Sequence, residues 1–162
     1  KWDDGFFITS VSGNDNCSGV VCSTLERNFR YRQHSYIVSS TFPSKWVSDK
    51  WSNDYYITSI ATQGRYNMQW CVVMSRGAPY DDQVVELDFQ YPSESVHARW
   101  RDNYMVTGVA CTQDQCAFVL SRGHYLGEEQ RCTRTSHGPL HKIREDWNDS
   151  LYVTALAWGR VA

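Results

Sequence analysis

A tryptophan-led block occurs four times in this chain, and no other feature restricts its fold as strongly. The clearest copy is Trp51-Ser52-Asn53-Asp54-Tyr55-Tyr56-Ile57-Thr58-Ser59-Ile60-Ala61. The other copies open at Trp2, Trp100 and Trp147, so the spacings are 49, 49 and 47 residues. Thr9, Thr58, Thr107 and Thr154 keep those spacings. A period of this length marks a supersecondary unit that buries its apolar face only against its neighbours.

Within the second copy, Tyr55 to Ala61 reads as a strand, being aromatic and β-branched. A polar turn containing Gly64 leads to a second strand, Trp70 to Ser75, and Gly77 and Pro79 break the chain after it. A third strand follows at Gln83 to Phe89, with counterparts at Gln33 to Ser40 and Gln130 to Ser136. Pro92, Val96 and Trp100 share one helical face at i, i+4 and i+8; so do Pro43, Val47 and Trp51, and Pro139, Ile143 and Trp147. Proline suits a first helical turn, where its missing N–H would have no partner.

The expected architecture is mainly β with short helices, in a single domain spanning 1–162. It consists of three tandem β-β-β-α repeats (1–50, 51–99, 100–146) and a closing C-terminal segment at 147–162, with Leu151 to Trp158 as its strand. A left-over first strand suggests a closed, pseudo-threefold domain, propeller- or barrel-like, because closure removes exposed edges. Small residues at Ser10, Ser59, Gly108 and Ala155 suggest that the first strands meet near an axis. The rival arrangement is an open, ten-stranded antiparallel sheet with helices on one face.

A net charge of -2, with scattered basic residues, gives no electrostatic footprint for nucleic acid. No apolar run is long enough for membrane insertion. The six cysteines permit disulfides, and Cys111 and Cys116 stand where a hairpin would bring them together. Cys132 with His137 and His141 offers too few ligands for a zinc site, so no metal and no cofactor is expected.

No nucleophile–base motif and no phosphate-binding loop is present, which points to a non-enzymatic protein. Two recurring polar sets are candidate ligand sites. One is the turn after each tryptophan, with Asp54 and Asp102. The other is the loop after each second strand, where Arg76 precedes Tyr80 and Arg122 precedes Tyr125; Tyr31 occupies the corresponding stretch of the first repeat. An aromatic ring near a guanidinium on a loop suits a polar ligand such as a sugar or phosphate.

The run Asp82 to Phe89, with Tyr91 to Glu94, His97 and Arg99-Trp100, resembles the C-terminal, non-catalytic region of plant casein-kinase-1-like protein kinases. Phe42-Pro43, Lys45-Trp46, Lys50-Trp51, Pro139, Trp147, Leu151-Tyr152 and Gly159-Arg160 extend the resemblance over nearly the whole chain. It implies an accessory domain that helps a kinase engage protein partners or substrates, in the nucleus or cytoplasm. The residues by themselves favour a secreted, lectin-like module. The aromatic load, the cysteines and the sequons at Asn16 and Asn148 would then serve recognition of a carbohydrate or glycoprotein outside the cell.

Overall fold

The computed structural model describes residues 6–13, 20–24, 31–64, 67–89, 92–124, 126–127, 129–135 and 138–158. Its strands are β1 (Phe7–Ser12), β2 (Val20–Thr24), β3 (Gln33–Ser39), β4 (Tyr55–Gln63), β5 (Gln69–Arg76), β6 (Asp82–Asp88), β7 (Met105–Cys111) and β8 (Cys116–Arg122). The helices are α1 (Ser44–Trp51), α2 (Ser93–Arg101) and α3 (Leu140–Asn148). Each starts behind the expected proline, Pro43, Pro92 or Pro139. The chain leaves each helix through a positive-φ residue: Asp54 at 62°, Asn103 at 63° and Ser150 at 62°. Short polar side chains tolerate that conformation best. Val47 and Val96, on the inward faces of α1 and α2, are fully buried.

The strands form three antiparallel sheets, ordered β1-β2, β3-β5-β4 and β6-β8-β7. Each complete sheet thus takes a strand, a helix and then a hairpin, and the strand that arrives last lies in the middle. The middle strands carry the core. Trp70, Val72 and Met74 of β5 pack with Val47, Ile57 and Val119, and Leu120 of β8 packs with Val96, Tyr104 and Val106.

The recurrent threonine marks a β-bulge. Register slips between Ile8 and Ser10, Ile57 and Ser59, and Val106 and Gly108, so Thr9, Thr58 and Thr107 are the extra residues. A bulge bends and twists its strand. Here it lets the first strand of one unit lie against the first strand of the next: β1 packs on β4, and β4 on β7. The small residues sit at these contacts. Val11 N donates to Ser59 Oγ at 3.0 Å, and a Cβ on Gly108 would stand 3.2 Å from Ile60 Cγ2.

The closed ring is not formed. Leu151–Trp158 is not a strand, and it lies beside Val106 and Thr107 of β7. The strand order supplies the reason. In each complete sheet the two outer strands touch only through the middle one, and among the described residues no strand lies between Glu129–Thr135 and Leu151–Trp158. The expected strand at Gln130 to Ser136 is likewise absent over 130–135, and Ser136 lies outside the described residues. The single ten-stranded sheet is not formed either, because the bulged strands divide the chain into separate sheets. Cys111 and Cys116 do face each other across the β7–β8 hairpin, as a disulfide pair.

Consecutive units are joined by a glutamine. Gln83, at the start of β6, is 3% exposed. Its Oε1 accepts from Ile57 N at 2.7 Å and Trp51 Nε1 at 3.1 Å. Its Nε2 donates to Ile57 O at 3.0 Å and Ser121 Oγ at 2.8 Å. Gln130 repeats the joint one unit later, accepting from Val106 N at 2.7 Å and Trp100 Nε1 at 3.2 Å and donating to Val106 O at 2.8 Å. Gln83→Leu keeps the volume but orphans buried groups at Ile57 and Ser121, each costing about 1–3 kcal/mol. Urea unfolding is expected to show a loss of about 3–5 kcal/mol for Gln83→Leu. The same change at the more open Gln130 should cost about half as much.

Candidate functional site

The starts of β3, β4, β6 and β7 and the ends of β5 and β8 lie together by register. This end of the sheets holds most of the polar side chains singled out above. Arg76 closes β5 beside Gln33 and Tyr55; its Nη1 donates to Gln33 Oε1 at 3.3 Å, and Tyr55 Oη donates to the same oxygen at 3.0 Å. The guanidinium lies over the Tyr55 ring, 5.9 Å from its centre. Asp54 Oδ2 is 3.7 Å from Arg76 Nη2.

The next sheet rebuilds the set around Arg122. Its guanidinium lies over the Tyr104 ring at 5.0 Å and contacts Asp82 Oδ2 at 3.4 Å. Tyr104 Oη donates to the same carboxylate, which holds the phenol above its ordinary pKa. Both arginines and Asp82 are about half exposed and Asp54 is mostly exposed, so each pair contributes little to stability and remains free to exchange partners.

The rings under the arginines therefore come from the first strands, not from the loop tyrosines. Tyr80 instead packs edge-on against Tyr56 at 6.1 Å and bonds Thr107. Burial raises its pKa despite that bond. Tyr31 packs edge-on against His34 at 5.4 Å, and burial, then the neighbouring Tyr80, raise its pKa. Neither phenol is poised to ionise. Asp102 is exposed at the end of α2 and belongs to neither arginine set. Tyr125 lies outside the described residues. Among the described residues no group of three or more His, Cys, Asp or Glu side chains could hold a metal ion. No described helix is long and apolar enough to cross a membrane.

Residues 1–162 match the model of a family described as a domain of unknown function, DUF7477. The chain belongs to this family. It is 50% identical over 162 residues to casein kinase 1-like protein HD16 of Oryza sativa subsp. japonica. The match covers 99% of this chain but 22% of that relative. No solved structure matches. The similarity agrees with a region of a casein-kinase-1-like protein. It lends no support to a carbohydrate-binding or secreted role.

Gln33, Asp82, Tyr55 and Tyr104 were not among the expected site residues. Their signal was available: Gln33-His34, Asp82-Gln83 and Glu129-Gln130 recur at 49 and 47 residues. Register makes His34, opposite Ser75, the counterpart of Gln83, opposite Ser121. The first joint therefore has an imidazole in place of an amide. His34 stacks on Phe7 at 4.9 Å, and its Nδ1 is 3.5 Å from Ser75 Oγ. Its Nε2 is buried without a hydrogen-bond partner among the described residues.

Burial lowers the His34 pKa below its ordinary 6.5. The fold therefore favours neutral imidazole. The stability tied to that form is complete above pH 6.5 and is lost as pH falls through the lower folded-state value. His34→Gln should remove this loss and restore the amide joint. Urea unfolding at pH 7.5 and pH 5.0 is expected to show the variant's advantage widening at the lower pH; an unchanged difference would contradict the assignment.

Proposed function

We propose that this chain is a non-catalytic polypeptide-docking module, an accessory region that engages partners or substrates for a casein-kinase-1-like protein. The observation that carries the reading is 50% identity along the whole chain to such a protein. Physical support comes from the shared end of the sheets. Arg76 and Arg122, each over a tyrosine, alternate there with Asp54, Asp81 and Asp82. A charge-balanced, aromatic surface suits polypeptide better than nucleic acid. On this reading the module works in the cytoplasm or nucleus. It is one domain over 1–162, copied from a single building block, so equivalent residues in the two arginine sets serve equivalent contacts. A carbohydrate site would need open ring faces, whereas Tyr31 and Tyr80 are half-buried and packed edge-on with neighbouring rings.

The test uses the full-length rice relative with residues aligned to Arg76 and Arg122 changed to alanine, and separately with this region deleted. Phosphorylation of an intact protein substrate should lose about tenfold or more in kcat/KM, as the loss of about 1.4 kcal/mol of docking energy requires. Phosphorylation of a short peptide by the same variants should not change. Equal effects on both substrates, or on neither, would refute docking. Selective retention on a glycan array would favour the carbohydrate reading instead.

A further inference from the structure

Each of the two arginine sets holds a second cation over the same ring. Lys50 Nζ stands 4.6 Å from the centre of the Tyr55 ring, which Arg76 also overlies. Arg99 lies 5.9 Å from the centre of the Tyr104 ring, which Arg122 also overlies. Lys50 and Arg99 are 49 residues apart, as are the two tyrosines. In each set the phenol and the middle-strand arginine share one acceptor. It is Gln33 Oε1 in the first set and Asp82 Oδ2 in the second.

The acids set the two apart. In the second set each cation has its own carboxylate: Arg99 meets Glu86 at 2.8 Å and Arg122 meets Asp82 at 3.4 Å. In the first set both carboxylates are replaced. Gln33 stands at the position of Asp82 and Ile37 at that of Glu86, by the 49-residue period and by strand register alike. Among the described residues the one carboxylate at ion-pair distance from Lys50 or Arg76 is Asp54. It lies 3.7 Å from Arg76 and is 82% exposed, which makes it a weak and replaceable partner. Two cations gathered on one ring repel each other unless an anion joins them. The Gln33 amide gives its oxygen to Arg76 and Tyr55, which leaves its NH2 as an exposed donor beside them. Tyr55 is half-buried, whereas Tyr104 is 6% exposed, so the first set is also the more open one.

We propose that Lys50, Arg76 and the Gln33 amide receive an anionic side chain, a carboxylate or a phosphate, from a polypeptide partner. The partner's acid takes the place that Asp82 and Glu86 fill in the second set. Arg76 and Arg122 then make the same kind of contact, one across an interface and one within the chain. The guanidinium supplies a fork of donors and the ammonium a point charge. Trp46, half-buried with Lys50 5.7 Å over its ring, gives the residues flanking the acid an apolar contact that a free ion cannot use. This names the partner chemistry of the docking reading and rests on it, but the experiment needs no kinase, so the two can fail separately.

The probes are capped tripeptides with leucine on both sides of glutamate, phosphoserine or serine, titrated into the intact chain and followed by NMR. The two anionic peptides should give saturable shifts centred on Gln33, Lys50, Tyr55 and Arg76, and the stronger of them names the anion. The serine peptide should bind about tenfold more weakly or not at all, as should the anionic peptides with Lys50→Gln or Arg76→Gln. Gln33→Asp supplies from within the acid that the second set has. It should abolish binding while the urea midpoint of the chain is kept, so a loss cannot be blamed on unfolding. Equal binding of the serine peptide, or full binding by Gln33→Asp, would overturn the proposal. So would inorganic phosphate that matches the peptides in affinity, because the ligand would then be a free ion.

Discussion

The arrangement depends on one buried amide. Gln83 satisfies both the N–H and the C=O of Ile57, a residue next to the bulge at Thr58, where ladder pairing lapses. Buried peptide groups without partners are costly. The bulge that lets successive first strands approach one another thus creates a need that only the next unit's glutamine meets. The same amide accepts from Trp51, whose indole would otherwise bury its N–H unpaired. Packing of β4 on β7 and the placing of α1 are tied to this joint.

Strand order then decides what kind of object the units make. With the latest strand in the middle, a unit is complete only when chain from three successive segments has been contributed. A helix connects the two outer strands across the place the middle one will fill. Such a unit cannot close a ring with a leftover first strand, because that strand's hydrogen-bonding partner is a middle strand and not another first strand. The described chain is a row with two differently unfinished ends: a two-stranded sheet at β1-β2, and flanking segments around α3.

Much of this was legible in the residues. The strands β1 to β8, the three proline-started helices and the Cys111–Cys116 hairpin follow from periodicity, β-branched runs and breakers. The threonine spacing was visible, but its meaning was not, because a bulge is a property of pairing rather than of one strand. The ring was over-read from the presence of a fourth first strand; nothing in a strand's own sequence states which neighbour it needs. The arginines were found, yet their rings were sought in the nearby loops. Register carries Tyr55 and Tyr104 under them from a strand some 20 residues earlier. His34 was missed through a one-residue slip that set Gln33 against Gln83, although the 49-residue period puts His34 there, as its pairing with Ser75 does.

The two kinds of polar site also differ in how much they hold the fold together. The arginine sets are half exposed or more, and each acid sits beyond 3.3 Å from its guanidinium, so in water they amount to little. The Gln83 joint is buried and fully bonded, and a partner could not recruit it without opening the unit. Only at the last joint do these properties combine. Gln130 is anchored on Val106 by two short bonds, and its remaining N–H reaches the Thr154 hydroxyl at 3.5 Å.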